Sequence, residues 1–125
     1  MKKLFTLLAL ALSFTAISAS AASIENEADY RINGSSRTVE RVSANSTDVY
    51  NVTFIGGEPA EVFVVGDGDT DLDLFIYDEN GNLIDSDTDN TDVCLCEWTP
   101  RWTGRFTIKI RNYGSVYNEY TMLIE

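Results

Sequence analysis

From residue 36 onward, short runs of β-branched and aromatic residues are broken about every 8–12 residues by Gly, Asn, Asp or Pro, the spacing of an all-β sandwich or barrel. The runs predict strands over residues 38–42, 48–55, 60–65, 71–77, 82–85, 92–98, 105–111 and 117–124. In 105–111, Phe106, Ile108 and Ile110 alternate with Arg105, Thr107, Lys109 and Arg111, the period of a strand with one face in the core and one in water. In 71–77, Leu72, Leu74 and Ile76 share one face while Asp71, Asp73, Phe75 and Tyr77 take the other. Asp78-Glu79-Asn80-Gly81 then predicts a hairpin with a tight type I′ turn, because Asn-Gly tolerates the positive φ angles such a turn needs. No stretch beyond the N-terminal run carries helical periodicity.

That run has a different character. Met1-Lys2-Lys3, an apolar stretch over 4–17 and Ala19-Ser20-Ala21 read as a signal peptide over 1–21, cleaved after Ala21. The stretch falls short of the roughly 20 apolar residues of a spanning helix, so the mature chain is expected to lack a membrane span and to be secreted or periplasmic. Residues 22–35 read as a loose N-terminal leader or an edge strand, and 36–125 as one domain, enough for a single modest core.

The chain carries 20 acidic and 9 basic residues, a net charge of −11, and the leader takes two of the lysines with it. A field of this sign repels nucleic acid and attracts divalent cations and basic surfaces. The absence of histidine excludes histidine-based triads, histidine-ligated zinc and imidazole acid-base chemistry. Gly66-Asp67-Gly68 lacks the further glycine or lysine of a phosphate-binding loop. A carboxylate-only glycosidase would need a cleft that so short a chain shows no insertion to build. The chain therefore reads as a non-enzyme.

The acidic residues form the strongest candidate site. Asp67, Asp69, Asp71 and Asp73 alternate, and in a regular strand they would project from one face about 6.6 Å apart. Neighbouring charges at that spacing repel by about 0.6 kcal/mol in water and about 2.5 kcal/mol at an effective dielectric of 20. Calcium, a hard cation with six to eight oxygen ligands, is the natural agent to offset this, and Asp69, Asp71, Asp73 and Asp85 are the candidate ligands. Asp85 enters because the hairpin should bring it toward Asp73. A second cluster, Asp85, Asp87, Asp89 and Asp92, lies on the next connection, and neither cluster has the spacing of an EF-hand. The alternative is a solvated face of turn-capping carboxylates that keeps a sheet edge from pairing with another chain.

Trp98 and Trp102 flank Pro100 near a corner and are candidate binding residues for a peptide or a sugar, against the plainer role of closing the end of a sandwich. Tyr113, Tyr117 and Tyr120 read as core and corner residues. Cys94 and Cys96, separated by Leu95, would face the same way, near the upper limit of Cα separation for a disulfide, so packed thiols, a strained bridge and an intermolecular link all stay open.

Residues 66–84 (GDGDTDLDLFIYDENGNLI) and 98–110 (WTPRWTGRFTIKI), with the closing strand entered through Tyr120, resemble the bacterial pre-peptidase C-terminal domain family over roughly residues 36–125. The likeness rests on Asp71-Leu72-Asp73-Leu74 ahead of an Asn-Gly turn and on the Thr99-x-x-x-Thr103-Gly104 corner ahead of an alternating strand. It implies a jelly-roll-like antiparallel β-sandwich of about 7–9 short strands. Such modules are non-catalytic, usually appended to secreted peptidases, and are related to the collagen-binding domains of bacterial collagenases. Relatives in the collagenases bind calcium. The chain has no peptidase domain, so the expected function is an exported binding or accessory module docking on a protein or polysaccharide surface. A self-assembling envelope or extracellular protein is the alternative.

Overall fold

The structure is a computed structural model and describes the backbone of residues 27–31 and all of residues 35–125. The segment read as a signal peptide lies outside these residues. Among the described residues there are nine strands and no helix: β1 (Glu27–Arg31), β2 (Ser36–Val42), β3 (Thr47–Phe54), β4 (Ala60–Val65), β5 (Leu72–Tyr77), β6 (Leu83–Asp87), β7 (Val93–Trp98), β8 (Gly104–Asn112) and β9 (Asn118–Ile124). They build two sheets, ordered β1-β3-β8-β5-β6 and β2-β9-β4-β7. β1 runs parallel to β3; the other pairings are antiparallel.

From β2 to β9 the chain crosses between the sheets at every connection except the β5–β6 hairpin. With β1 set aside, that crossing pattern is a jelly roll, in which two interlocked Greek keys face each other as four-stranded sheets. The crossing follows from the strand patterns. β3, β4, β5, β7, β8 and β9 each bury an apolar face, and the two sheets set those faces against each other. On β8, Phe106, Ile108 and Ile110 are buried while Arg105 is exposed and Thr107, Lys109 and Arg111 are half-exposed, as the alternation predicts. Val62 and Val64 of β4, Leu72, Leu74 and Ile76 of β5, and Met122 and Ile124 of β9 join them in one core.

The hairpin after β5 departs from the expected type I′ turn. Gly81 has φ 84°, but Asn80 does not enter the positive-φ region. The Gly81 amide donates to the Asp78 carbonyl at 3.0 Å, and the Asp78 amide donates to the Asn82 carbonyl at 2.9 Å. The result is a three-residue loop in which a left-handed glycine follows an ordinary turn. Asp78 dictates this choice. Its carboxylate accepts from the amides of Asn80 and Asn82, both at 2.9 Å, and from Asn82 Nδ2 at 3.1 Å, and these bonds hold its pKa below the usual range. The wider loop shifts the β5–β6 register between Ile76 and Tyr77.

Polar groups also cross the core. The Tyr120 hydroxyl on β9 donates to Asp48 Oδ2 on β3 at 2.6 Å and lies 2.5 Å from the Tyr50 hydroxyl, linking the two sheets through three residues that are each 1% exposed. Burial, with Tyr50 and Asp48 alongside, pushes the Tyr120 pKa well above its ordinary value. Tyr120→Phe deprives the buried Asp48 carboxylate of a donor, an expected loss of about 1–3 kcal/mol in urea unfolding. In the parent, stability is expected to decline as pH rises above the ordinary tyrosine range, because the folded state holds the Tyr120 proton more tightly than the unfolded one. Tyr120→Phe is expected to flatten that alkaline decline.

Candidate functional site

The two ends of the sandwich differ in chemistry. At one end the corner 99–103 folds over the core. Phe54 and Phe106 meet edge-on with centroids 5.8 Å apart, and Trp98 packs against both, edge-on to Phe54 at 4.9 Å and tilted on Phe106 at 5.6 Å. Trp98 therefore closes the core, while Trp102, four residues on, keeps 43% of its surface exposed. Between them runs a groove of about 390 Å³, lined by Trp98, Pro100, Trp102, Phe106, Ile84 and Asp78, with Arg101 at its rim. The indole Nε1 of Trp98 is buried without a hydrogen-bond partner among the described residues.

The groove is braced from behind. The Gly57 amide donates to the Pro100 carbonyl at 2.7 Å, and the Gly56 amide donates to Thr103 Oγ1 at 2.9 Å. A side chain at Gly56 would come within 2.6 Å of the Trp102 backbone, so glycine is what allows the 55–58 turn to seat against this corner. On the other wall the Glu79 carboxylate accepts from the Arg105 amide at 3.3 Å, tying the β5–β6 loop to β8.

The opposite end carries the aspartates, and the structure disperses them. The strand begins at Leu72, so Asp67, Asp69 and Asp71 lie in a loop bent at Gly68 (φ 91°) and do not line one face with Asp73. Asp67 caps its own loop, with Oδ1 accepting from the Asp69 amide at 3.0 Å and Oδ2 from the Glu119 amide at 2.9 Å, which lowers its pKa. Asp92 accepts from the Gly68 amide at 2.6 Å and from Asn118 Nδ2 at 3.1 Å. Asp69 stands exposed in the loop.

Asp85 does not approach Asp73 as the hairpin suggested. The register sets Asp85 opposite the inward-facing Ile76, whereas Asp73 lies opposite Arg111 on the outer face. Asp85 Oδ2 instead accepts from the Glu97 amide at 2.9 Å, and Asp87 Oδ2 from the Leu95 amide at 2.9 Å. These two carboxylates of β6, the edge of one sheet, satisfy amides of β7, the edge of the other. Among the described residues no three Asp, Glu or Cys side chains are grouped closely enough to hold a metal ion.

Asp71 and Asp73 are different. Each has one carboxylate oxygen, Oδ1, buried without a hydrogen-bond partner among the described residues. Asp73 is 7% exposed; burial raises its pKa, and the charges of Asp71, Asp87 and Asp89 add to the rise, against a hydrogen bond with Tyr113. Asp71 is raised by burial and by Asp89 and Asp92.

Two asparagines that no sequence pattern singled out organise this end. Asn112, fully buried, donates through Nδ2 to the carbonyls of Val42, Ser43 and Val116 and accepts through Oδ1 from the Gly114 amide. Asn118, also fully buried, bonds the Thr70 carbonyl and hydroxyl and accepts from the Asp67 amide. Asn112 ends β8 and Asn118 begins β9, and an amide at a strand end with no apolar partner is the faint sequence signal for both.

Cys94 and Cys96 are free, buried thiols that face the core on β7, the first of the three expected states. Burial, with nearby aspartates, pushes both pKa values up to about 12, so neither offers a reactive thiolate. Of the tyrosines read as core and corner residues, Tyr120 lies in the core, while Tyr113 and Tyr117, on the β8–β9 corner, are 52% and 48% exposed; each is covered by an arginine, Arg111 at 4.9 Å and Arg41 at 4.6 Å from the ring centroid. Their rings serve the cations of an acidic chain instead of its core.

No protein-family model matches the chain, and none of the curated proteins does. Among solved structures, the chain is similar to the pre-peptidase C-terminal domain of a collagenase from Bacillus anthracis, with a TM-score of 0.64 and 12% identity over 85% of this chain and 99% of that one. It is also similar to PliG from Aeromonas hydrophila, a periplasmic inhibitor of g-type lysozyme, with a TM-score of 0.58 and 9% identity over 81% and 97% of the two chains. A mitogen from Yersinia pseudotuberculosis follows at a TM-score of 0.50 and 16% identity, over 74% and 86%. At these identities the likeness is one of fold.

The Asp73 environment sets a direction for stability against pH. With the folded pKa raised, the folded state holds the proton more tightly than the unfolded chain, so Asp73 favours folding below its ordinary pKa and that contribution is lost as pH rises through the folded value. At pH 7, Asp73→Asn is expected to stabilise the protein by on the order of 1 kcal/mol in thermal unfolding, with the gain shrinking as pH falls through the raised pKa.

Proposed function

We propose that the chain is an exported, non-catalytic β-sandwich module that binds a protein ligand through the groove between Trp102 and Ile84. The observation that carries this reading is the groove itself: a mainly apolar slot with the exposed Trp102 indole on one wall, braced by the glycine turn behind. A rigid aromatic anchor beside a preformed slot is the usual centre of a protein-binding site, where a few large side chains supply most of the affinity. Asp78, Asn82, Thr99 and Arg101 stand beside the apolar lining, a mixed wall that suits a peptide carrying both apolar and polar side chains. The two neighbours named as a collagenase domain and a lysozyme inhibitor support a protein partner and an address outside the cytoplasm, in agreement with the leader read over 1–21.

Trp98 and Trp102 are the chain's two tryptophans, so indole fluorescence reports on the groove directly. Titration with a triple-helical collagen peptide and with a g-type lysozyme is expected to shift the emission with at least one of them, and Trp102→Ala to weaken that binding at least tenfold while the fold persists. Chito-oligosaccharide is expected to leave the emission unchanged. Emission indifferent to both protein probes, or binding unaltered by Trp102→Ala, rejects the groove as the site.

Calcium at Asp71 and Asp73 is a second reading, favoured by their two buried, unpartnered oxygens. With two carboxylates in place, backbone carbonyls and water would complete the ligand set. This reading expects millimolar calcium, and not magnesium at equal ionic strength, to raise the unfolding midpoint by several degrees, with the rise absent in Asp73→Asn. Equal midpoints in calcium, magnesium and chelator leave these oxygens to a proton.

A further inference from the structure

The outer face of the four-stranded sheet points to solvent, yet its middle is apolar. The strand registers set Val39, Thr121, Val65 and Val93 in one row across β2, β9, β4 and β7, and Leu123, Phe63 and Leu95 in the next, ending on β2 at Arg37. Val39, Val65, Val93 and Leu95 are between 37% and 48% exposed. Two adjacent rows, about 6.7 Å apart on strands about 4.8 Å apart, make a band on the order of a few hundred Å², the size at which exposed patches are often functional.

The two margins of the band differ in charge. On one, Arg41 of β2 stands opposite Glu119 of β9 and pairs with it at 3.2 Å, so the two charges offset each other. On the other, Glu61 stands opposite Glu97 of β7 and exchanges backbone hydrogen bonds of 2.8 and 2.9 Å with Glu125 beyond β9. Among the described residues no cation forms an ion pair with these three carboxylates. Like charges placed directly opposite one another are unfavourable in a sheet, and a cation from outside would offset that repulsion. Beside them opens a hollow of about 390 Å³, lined by Pro59, Trp98 and Thr99 together with the same three glutamates.

The exposed band is what calls for a partner, and the glutamate margin fixes that partner's charge. A second copy packed face to face about an axis along the strands would lay Glu61 on Glu125, so the occupant is a different protein. An anionic membrane surface is repelled by the same margin. The chain's net charge of −11 draws basic partners from a distance, and the three carboxylates give them a place to settle. The backbone of this face is taken up in the strand ladders, so whatever docks meets it through side chains, as an amphipathic helix does. The geometry points to a basic amphipathic helix of a partner protein as the occupant: its apolar stripe lies on Phe63, Val65, Val93 and Leu95, and lysines or arginines along one side of that stripe reach Glu61, Glu97 and Glu125, one of them entering the hollow. The Trp102 groove shares only Trp98 and Thr99 with this hollow, and the inference does not rest on it.

Titration of the 15N-labelled protein with a helical peptide of about five turns, carrying a leucine stripe and lysines along one flank, tests this. The titration is run at about 0.15 M salt, where charges more than about 8 Å away are largely screened. Amide shifts are expected on residues 61–65, 93–97 and 119–125, with a Kd of about 10–100 μM. Leu95→Ser is expected to weaken binding at least fivefold and Glu97→Lys at least tenfold, while Trp102→Ala leaves it within about twofold. Leu95 and Glu97 are both exposed, and an unchanged near-ultraviolet spectrum and Tm exclude loss of fold as the cause. Three controls are expected to bind at least tenfold more weakly: the peptide with glutamates in place of lysines, a scrambled peptide of the same charge without the stripe, and anionic phospholipid vesicles. Binding weaker than about 1 mM overturns the inference, as do shifts confined to other residues. So does a titration indifferent to Leu95→Ser or to Glu97→Lys, a control that binds as well as the basic peptide, or binding abolished by Trp102→Ala, which would return the peptide to the groove.

Discussion

A carboxylate inside a hydrophobic sandwich is tolerable only if donors meet it, and Asp48 is such a carboxylate, 1% exposed on β3. Tyr120 reaches it from the facing sheet, and Tyr50 extends the chain of hydroxyls. Apolar contacts between the sheets are non-directional and would tolerate a slide of one sheet over the other. These hydrogen bonds are directional, and removing one partner leaves another group stranded. The register between the sheets thus depends on them, and with it the placing of every loop that β3 and β9 carry. The corner bearing Trp102 is set by Phe54 at the end of β3 and by the glycine turn that follows it.

Much of the acidity turns out to be architectural. Asp67 and Asp92 close the loop after β4, Asp78 shapes the β5–β6 turn, and Asp85 and Asp87 fasten the two sheet edges together. A carboxylate accepting a backbone amide makes a stronger bond than a neutral acceptor does, and an edge whose amides are already taken presents less of a template to another strand. Solubility and edge protection therefore come from the same residues. Asp71 and Asp73 stand apart because each keeps an oxygen for which the fold supplies no donor.

The strands from β2 onward were legible because two-residue alternation survives in a sheet with one wet face, and β8 shows this most clearly. The row of aspartates departs from that rule. The alternation runs on in sequence through Asp67 and Asp69, but a glycine at φ 91° bends the chain out of the strand there. Asp85 lies away from Asp73 because a period of two gives a residue's face but not the register set by a turn, and the three-residue loop decides that register. Of the two tryptophans, composition shows large aromatic rings near a corner; only the packing of Phe54 and Phe106 separates the buried Trp98 from the exposed Trp102. Asn112 and Asn118 left almost no trace, because a fully bonded amide at a strand end looks like any other turn residue.

The two cysteines carry a consequence of a different kind. Both point into the core behind a curtain of aspartates, and their thiols are held in the protonated form. A sandwich of this size usually leans on a covalent bridge when it works in an oxidising place. This one is complete without an electron being removed. Packed as thiols, Cys94 and Cys96 serve β7 as small apolar side chains, so this edge of the core is held by burial and not by a covalent clasp.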